Sequence, residues 1–131
     1  MRKEPLFLTL AEVLNFHEYQ IRRFGGESGI RDTGLLESAL AQPHASYGGE
    51  WLHQDLYAMA AAYAFHICKN HPFLDGNKRT ALVSALVFLE INGVSLLDPD
   101  EKLPGAIENI ATNTLDKRGF ADLLRELPTE S

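Results

Sequence analysis

Two segments of this chain have almost no polar face. From Gln54 to about Asn70, the residues Leu56, Met59, Ala60, Tyr63 and Ile67 recur at helical spacing on one side. Ala61, Ala64, Phe65 and Cys68 occupy another side. Residues 77–92 repeat the character, with Leu82, Leu86 and Leu89 in one stripe and Val83, Val87 and Ile91 in a second. A helix that is apolar all round is buried all round. These two helices must form the centre of the fold, and the other elements must wrap them. Their apolar runs, such as Ala81 to Leu89, are far too short to span a membrane.

The wrapping elements are legible in turn. Residues 9–24 read as an amphipathic helix, with Thr9 and Glu12 placed as a capping box and Leu10, Val13, Leu14, His17 and Ile21 at helical spacing. Gly25-Gly26 stops it, and four glycines between positions 25 and 34 mark a turning loop. Asp32 or Thr33 caps a short helix ending near Ala41. Residues 42–53 carry no period and read as a loop or small hairpin. Asn92-Gly93 ends the second central helix, and Asp98-Pro99 opens a helical region reaching about Asn113, with Pro104 marking a break or restart. Residues 117–127 form a last amphipathic helix carrying Phe120, Leu123, Leu124 and Leu127. The stretches "PLFL" near the start and "VSLL" at 94–97 are expected to pair as a tiny sheet. The fold class is all-α: one compact, mostly helical domain over residues 1–131.

Composition narrows the function. The 131 residues are 45% hydrophobic and 23% charged, as in an ordinary globular protein. The single cysteine, Cys68, rules out an intramolecular disulfide and suits a reducing cytoplasm. No signal-peptide layout is visible, because Glu4 and Glu12 bracket only a short apolar patch. A net charge of −6 argues against a general nucleic-acid binder. The exception is local, where Lys69, Lys78 and Arg79 gather around the connection between the two central helices.

That connection, His71-Pro72-Phe73-Leu74-Asp75-Gly76-Asn77-Lys78-Arg79, is dense in polar chemistry. Its second half opens a helix, where free backbone N–H groups and the helix dipole favour an anion. Gly76 permits close backbone approach, so successive amides can form a nest for phosphate oxygens. Arg79 offers a planar fork for phosphate, and Lys78 adds a point charge. Asp75 is a hard oxygen ligand suited to Mg²⁺ that also bridges phosphates. His71 offers an imidazole that can take a proton from a hydroxyl. Pro72 stiffens the turn and Phe73 anchors it. No Walker loop is present, and His66 and His71 lack zinc-site spacing and further ligands. His66 reads as a core histidine and Cys68 as buried and inert.

The stretch "HPFLDGNKR" resembles the signature of the Fic/Doc family, H-x-F-x-[DN]-[AG]-N-[GK]-R, at every one of its nine positions. "FGGESGIRDTGLLESALAQP" and "KNHPFLDGNKRTALVSALVFLEINGV" are similar to the death-on-curing (Doc) branch, and the likeness runs over essentially the whole chain. The resemblance implies a Fic-type bundle around the motif helices. It implies that His71 is the base, that Asp75 holds Mg²⁺, that Gly76, Asn77 and Lys78 shape an anion hole, and that Arg79 pairs with nucleotide phosphate. Residues 42–53 would be the family's flap, which binds a target segment by main-chain pairing. The glycine loop at 25–34 reads as structural, with Arg31 a contributor near the site.

Position 78 bears on the reaction. AMP-transferring relatives mostly carry glycine there. In the Doc branch a lysine goes with ATP bound in the reverse sense, presenting the γ-phosphate. The resemblance therefore implies a toxin of a type II toxin–antitoxin pair, a kinase using ATP and Mg²⁺ on a threonine of elongation factor Tu. The self-inhibitory pattern [ST]-x-x-x-E-[GN] is missing; "PGAIEN" at 104–109 has proline in place of the hydroxyl residue. Restraint would then come from a separate, partly disordered, Phd-like antitoxin. The alternatives are an AMP-transferring enzyme on the same scaffold and a non-catalytic interaction protein.

Overall fold

The computed structural model describes residues 4–130. The two apolar segments form helices α3 (Leu56–Asn70) and α4 (Asn77–Ile91), which pack on each other more extensively than any other pair. In α3 every residue from Met59 to Ala64 is buried, as is Ile67. The seam of α4 differs from the stripes expected. Its deepest positions are Thr80, Ala81, Ser84, Ala85, Phe88 and, from the expected stripes, Leu89, all at 0% exposure, while Leu82, Val83, Leu86 and Val87 are half-buried flanks. Small side chains on both helices, Ala81, Ser84 and Ala85 on α4 and Ala60, Ala61 and Ala64 on α3, are all buried and suit close packing of this pair.

Four more helices wrap this pair among the described residues. Helix α1 (Leu10–Phe24) lies on α4, and α2 (Thr33–Ala41) lies on α3. Helix α5 (Lys102–Ala111) touches both central helices, and α6 (Lys117–Glu126) covers α3. The structure is 61% helical, in keeping with the all-α reading. Among the described residues no helix is long and apolar enough to cross a membrane. The Thr9–Glu12 capping box forms with both of its bonds, and Asp32 caps α2 by accepting from Leu35 N–H at 2.9 Å.

Two expectations about short elements need correction. "VSLL" does not pair with "PLFL": Leu97 N–H donates to Pro128 C=O at 2.8 Å and Glu130 N–H to Ser95 C=O at 2.8 Å, so it binds the C-terminal segment. The N-terminal stretch instead packs inward, with Leu8 N–H on the Tyr63 hydroxyl at 2.9 Å and Phe7 stacked on Phe88. The helix expected from Asp98 starts only at Lys102. Asp98 still caps it, accepting from Lys102 N–H at 2.8 Å and Leu103 N–H at 2.9 Å. Pro104 causes no break, because it falls in the first turn where its missing N–H has no intrahelical partner.

The loop or hairpin at 42–53 proves to be a short 3₁₀ turn (Gln42–His44) followed by a hairpin of β1 (Ser46–Tyr47) and β2 (Glu50–Trp51). Gly48 and Gly49 both have positive φ, 60° and 82°, as a two-residue turn between right-twisted strands requires.

Candidate functional site

Helix α3 ends by turning at His71, whose φ of 49° and ψ of 54° lie in the left-handed region, with its N–H on Ile67 C=O at 3.1 Å. Pro72 and Phe73 then run into the interior, where a buried peptide group needs a partner. Asn77 supplies it. Its Oδ1 accepts from Phe73 N–H at 2.9 Å and its Nδ2 donates to Phe73 C=O at 3.0 Å, closing the connection on itself. Gly76 begins α4 at a φ of 77°, and a Cβ there would meet Ile21 Cδ1 at 3.2 Å. The backbone conformation favours glycine at this position, and the tight contact adds to that preference.

Helix α1 and the glycine loop grip the other half of the connection. The His17 ring stacks on Phe73 with centroids 3.8 Å apart and planes 7° apart, and its Nε2–H donates to Asp75 C=O at 2.8 Å. Glu27 N–H donates to Asp75 Oδ2 at 2.8 Å, which orients the carboxylate. The guanidinium of Arg79 lies 4.7 Å from the centroid of the exposed Phe24 ring. Lys78 Nζ is held by both oxygens of Glu108 from α5, each at 2.9 Å.

His71, Asp75, Gly76, Asn77, Lys78 and Arg79 all line one cleft of about 810 Å³. Its outer walls are partly apolar, with Leu82 from α4 and Ile107 from α5. Helices α1, α2, α3 and α6 each have a side chain capping the N-terminus, whereas α4 has none. The first-turn N–H groups of α4 are therefore free to bind an anion, with two cationic side chains beside them. Asp75 suits Mg²⁺: a hard carboxylate, exposed and held by a single backbone donor, next to an anion site. Among the described residues no group of three or more His, Cys, Asp or Glu could hold a metal alone. A one-carboxylate contribution is what a phosphate-bridging Mg²⁺ asks of a protein. A second cleft of about 620 Å³, lined by Leu6, Trp51, Leu56, Met59 and Ile91, contains none of the motif residues.

Thus the structure brings the six candidate residues to one place, with one change of part. The Asn77 side chain is spent on the loop, so only its backbone N–H is left to face an anion. Trp51 of the hairpin lines the second cleft rather than this one. His66 is only half-buried, and its Nε2 meets Lys117 Nζ at 3.0 Å; burial first, then the charges of Lys117 and His53, lower its pKa to about 4. Cys68 is buried as expected, at 6% exposure, and burial raises its thiol pKa. Sequence reasoning missed His17, Glu27 and Glu108. A signal existed only for His17, the single polar residue in an otherwise apolar helical stripe.

Comparison with known proteins agrees with this geometry. The family model described as Fic/DOC family matches residues 7–89. The chain is 37% identical over 116 residues to Protein kinase doc of Escherichia phage P1, covering 88% of this chain and 90% of that protein. It is 48% identical over 100 residues to Toxin Doc of Mycolicibacterium smegmatis, covering 75% of this chain and 77% of that protein. The family match takes in more than half of the chain, including the whole connection between α3 and α4, and the chain belongs to the Fic/DOC family.

Proposed function

We propose that this chain is a Doc toxin that transfers the γ-phosphate of ATP to a serine or threonine hydroxyl, with a threonine of elongation factor Tu in the cytoplasm as target. The observation that carries the reading is the uncapped N-terminus of α4 with Lys78 in its first turn, at the position where AMP-transferring relatives mostly carry glycine. Two similar proteins bear the names Protein kinase doc and Toxin Doc, which supports the same direction.

The roles follow from the chemistry of each group. His71 takes the proton of the attacking hydroxyl as its oxygen bonds to the γ-phosphorus and the bond to the bridging oxygen of ADP breaks. The free N–H groups of α4 and the Arg79 fork hold phosphate oxygens and keep the reacting atoms aligned. Asp75 would hold Mg²⁺, which when bound neutralises phosphate charge. Leu82 and Ile107 give the rest of the nucleotide an apolar wall. Restraint falls to a cognate antitoxin, a Phd-like protein with a partly disordered segment.

One observation favours the second reading, AMP transfer. Both oxygens of Glu108 already engage Lys78, and a lysine so engaged says less about which phosphate reacts. Mass spectrometry of target protein incubated with the purified chain, ATP and Mg²⁺ separates the two. A phosphorylated serine or threonine is expected; an AMP adduct supports the second reading and overturns the first.

A further inference from the structure

Arg31 sits in the glycine loop, outside the motif, yet it meets three successive carbonyls of the motif's first turn. Its Nε donates to His71 C=O at 2.7 Å and its Nη2 to Asn70 C=O at 2.9 Å, while its backbone N–H donates to Pro72 C=O at 2.7 Å. The first two, at Asn70 and His71, are carbonyls that the end of α3 leaves without helical partners, at the negative end of the helix dipole. A guanidinium presents two donors on one rigid edge and can take both side-chain bonds at once. The residue so held, His71, stands in the left-handed region that non-glycine residues seldom occupy.

We propose that Arg31 is a positioning residue for His71. Its fork keeps the left-handed turn that sets the imidazole in the cleft, without itself touching a substrate. The inference rests on the reading of His71 as the base. It is separable from a general structural role, because the loop is also tied to the motif by main-chain bonds that do not need the side chain. Asp32 N–H donates to Pro72 C=O at 3.0 Å, Leu74 N–H donates to Gly29 C=O at 3.1 Å, and Ile30 bridges Phe73. Asn70 is separately anchored through its Nδ2 on Leu35 C=O at 2.9 Å. The phosphate end of the site has its own supports, since His17 and Glu27 hold Asp75 and the Asn77 amide holds Phe73. Removing the guanidinium should therefore loosen His71 and leave nucleotide binding intact.

The test compares wild type, Arg31→Ala and Arg31→Lys on the whole chain. In Arg31→Ala, kcat for transfer should fall about 10- to 100-fold, the scale of a misplaced reacting group, with KM for ATP within about 2-fold of wild type. Free guanidinium ion should restore part of kcat to Arg31→Ala. Arg31→Lys, which keeps the charge but lacks the fork, should lie between. Independently of any activity, the NMR backbone signals of His71 should move from left-handed toward extended values in Arg31→Ala. Unchanged His71 signals, or a wild-type kcat, overturn the inference. So does an Arg31→Ala variant that loses cooperative melting or loses ATP binding together with kcat, because Arg31 would then support the fold. A wild type that shows no transfer refutes the catalytic reading instead, and the NMR comparison still decides whether Arg31 holds His71.

Discussion

At His71 the backbone and the side chain carry separate tasks, one closing α3 in a left-handed turn and the other facing the cleft. Because the ring lies outside the core, His71→Ala should leave the circular dichroism spectrum almost unchanged. It should slow transfer by about 10²- to 10⁴-fold, the usual cost of losing a general base. Transfer at a near wild-type rate would make the histidine structural. The residues that sequence reasoning found here are consecutive, and their types alone suggest phosphate chemistry. Those it missed act across distance: His17 reaches Asp75 over 58 positions and Glu27 reaches it over 48. Glu27 contributes only a backbone N–H, so nothing about its side chain could have announced the contact. Asn77 shows the reverse failure. Its amide suits an anion site on paper, but the buried Phe73 peptide group has the stronger need.

Between elements, two contacts make measurable claims. The Lys78–Glu108 pair joins α4 to α5 across the cleft, and both side chains are about half exposed, at 50% and 58%. Such a pair is weak, so phosphate can displace Glu108 at modest cost. Glu108→Gln should release Lys78 and lower KM for ATP by up to about 5-fold; an unchanged or higher KM would mean that Lys78 does not bind nucleotide. The α3–α6 interface holds His66 against Lys117, with His53 nearby. Burial, then the Lys117 charge, also lowers the pKa of His53. Both imidazoles are held neutral in the folded state, so below their ordinary pKa of 6.5 the unfolded chain binds more protons than the folded one. Stability should be complete above that value and fall as pH drops toward about 4, where His66 protonates in place. The melting temperature should decline by roughly 5 °C or more across this window and less in His66→Leu; a flat profile in the wild type would count against the interface. Helix existence was legible throughout, because 3.6-residue periodicity and capping residues are local signals. Helix faces and starts were less so. The α4 seam depends on the alanines that α3 offers it, and the start of α5 was masked by Asp98 capping from outside the helix.

On the scale of the whole molecule, two apolar helices bring a polar connection out of the core, and only part of what surrounds them touches it. Helix α1 and the glycine loop brace it from one side, and α5 faces it from the other. The general arrangement followed from periodicity, while the pairing of residues 95–97 with the C-terminal segment did not, since an isolated bridge has no pattern of its own. On the proposed reading, what the site transfers turns on Lys78, whose stem would fill space that a glycine leaves open and whose ammonium would offer phosphate a second point of attachment. The most direct measurement is the label carried to the target protein from ATP labelled at either the α or the γ position, for wild type and Lys78→Gly. Wild type should transfer the γ label alone. Lys78→Gly should lose that transfer by more than about 10²-fold, the scale of a single charge-stabilising group, with at most a weak gain of α label. Transfer of the α label by wild type, or full γ transfer by Lys78→Gly, would contradict the claim that this site is a kinase whose chemistry is set at position 78.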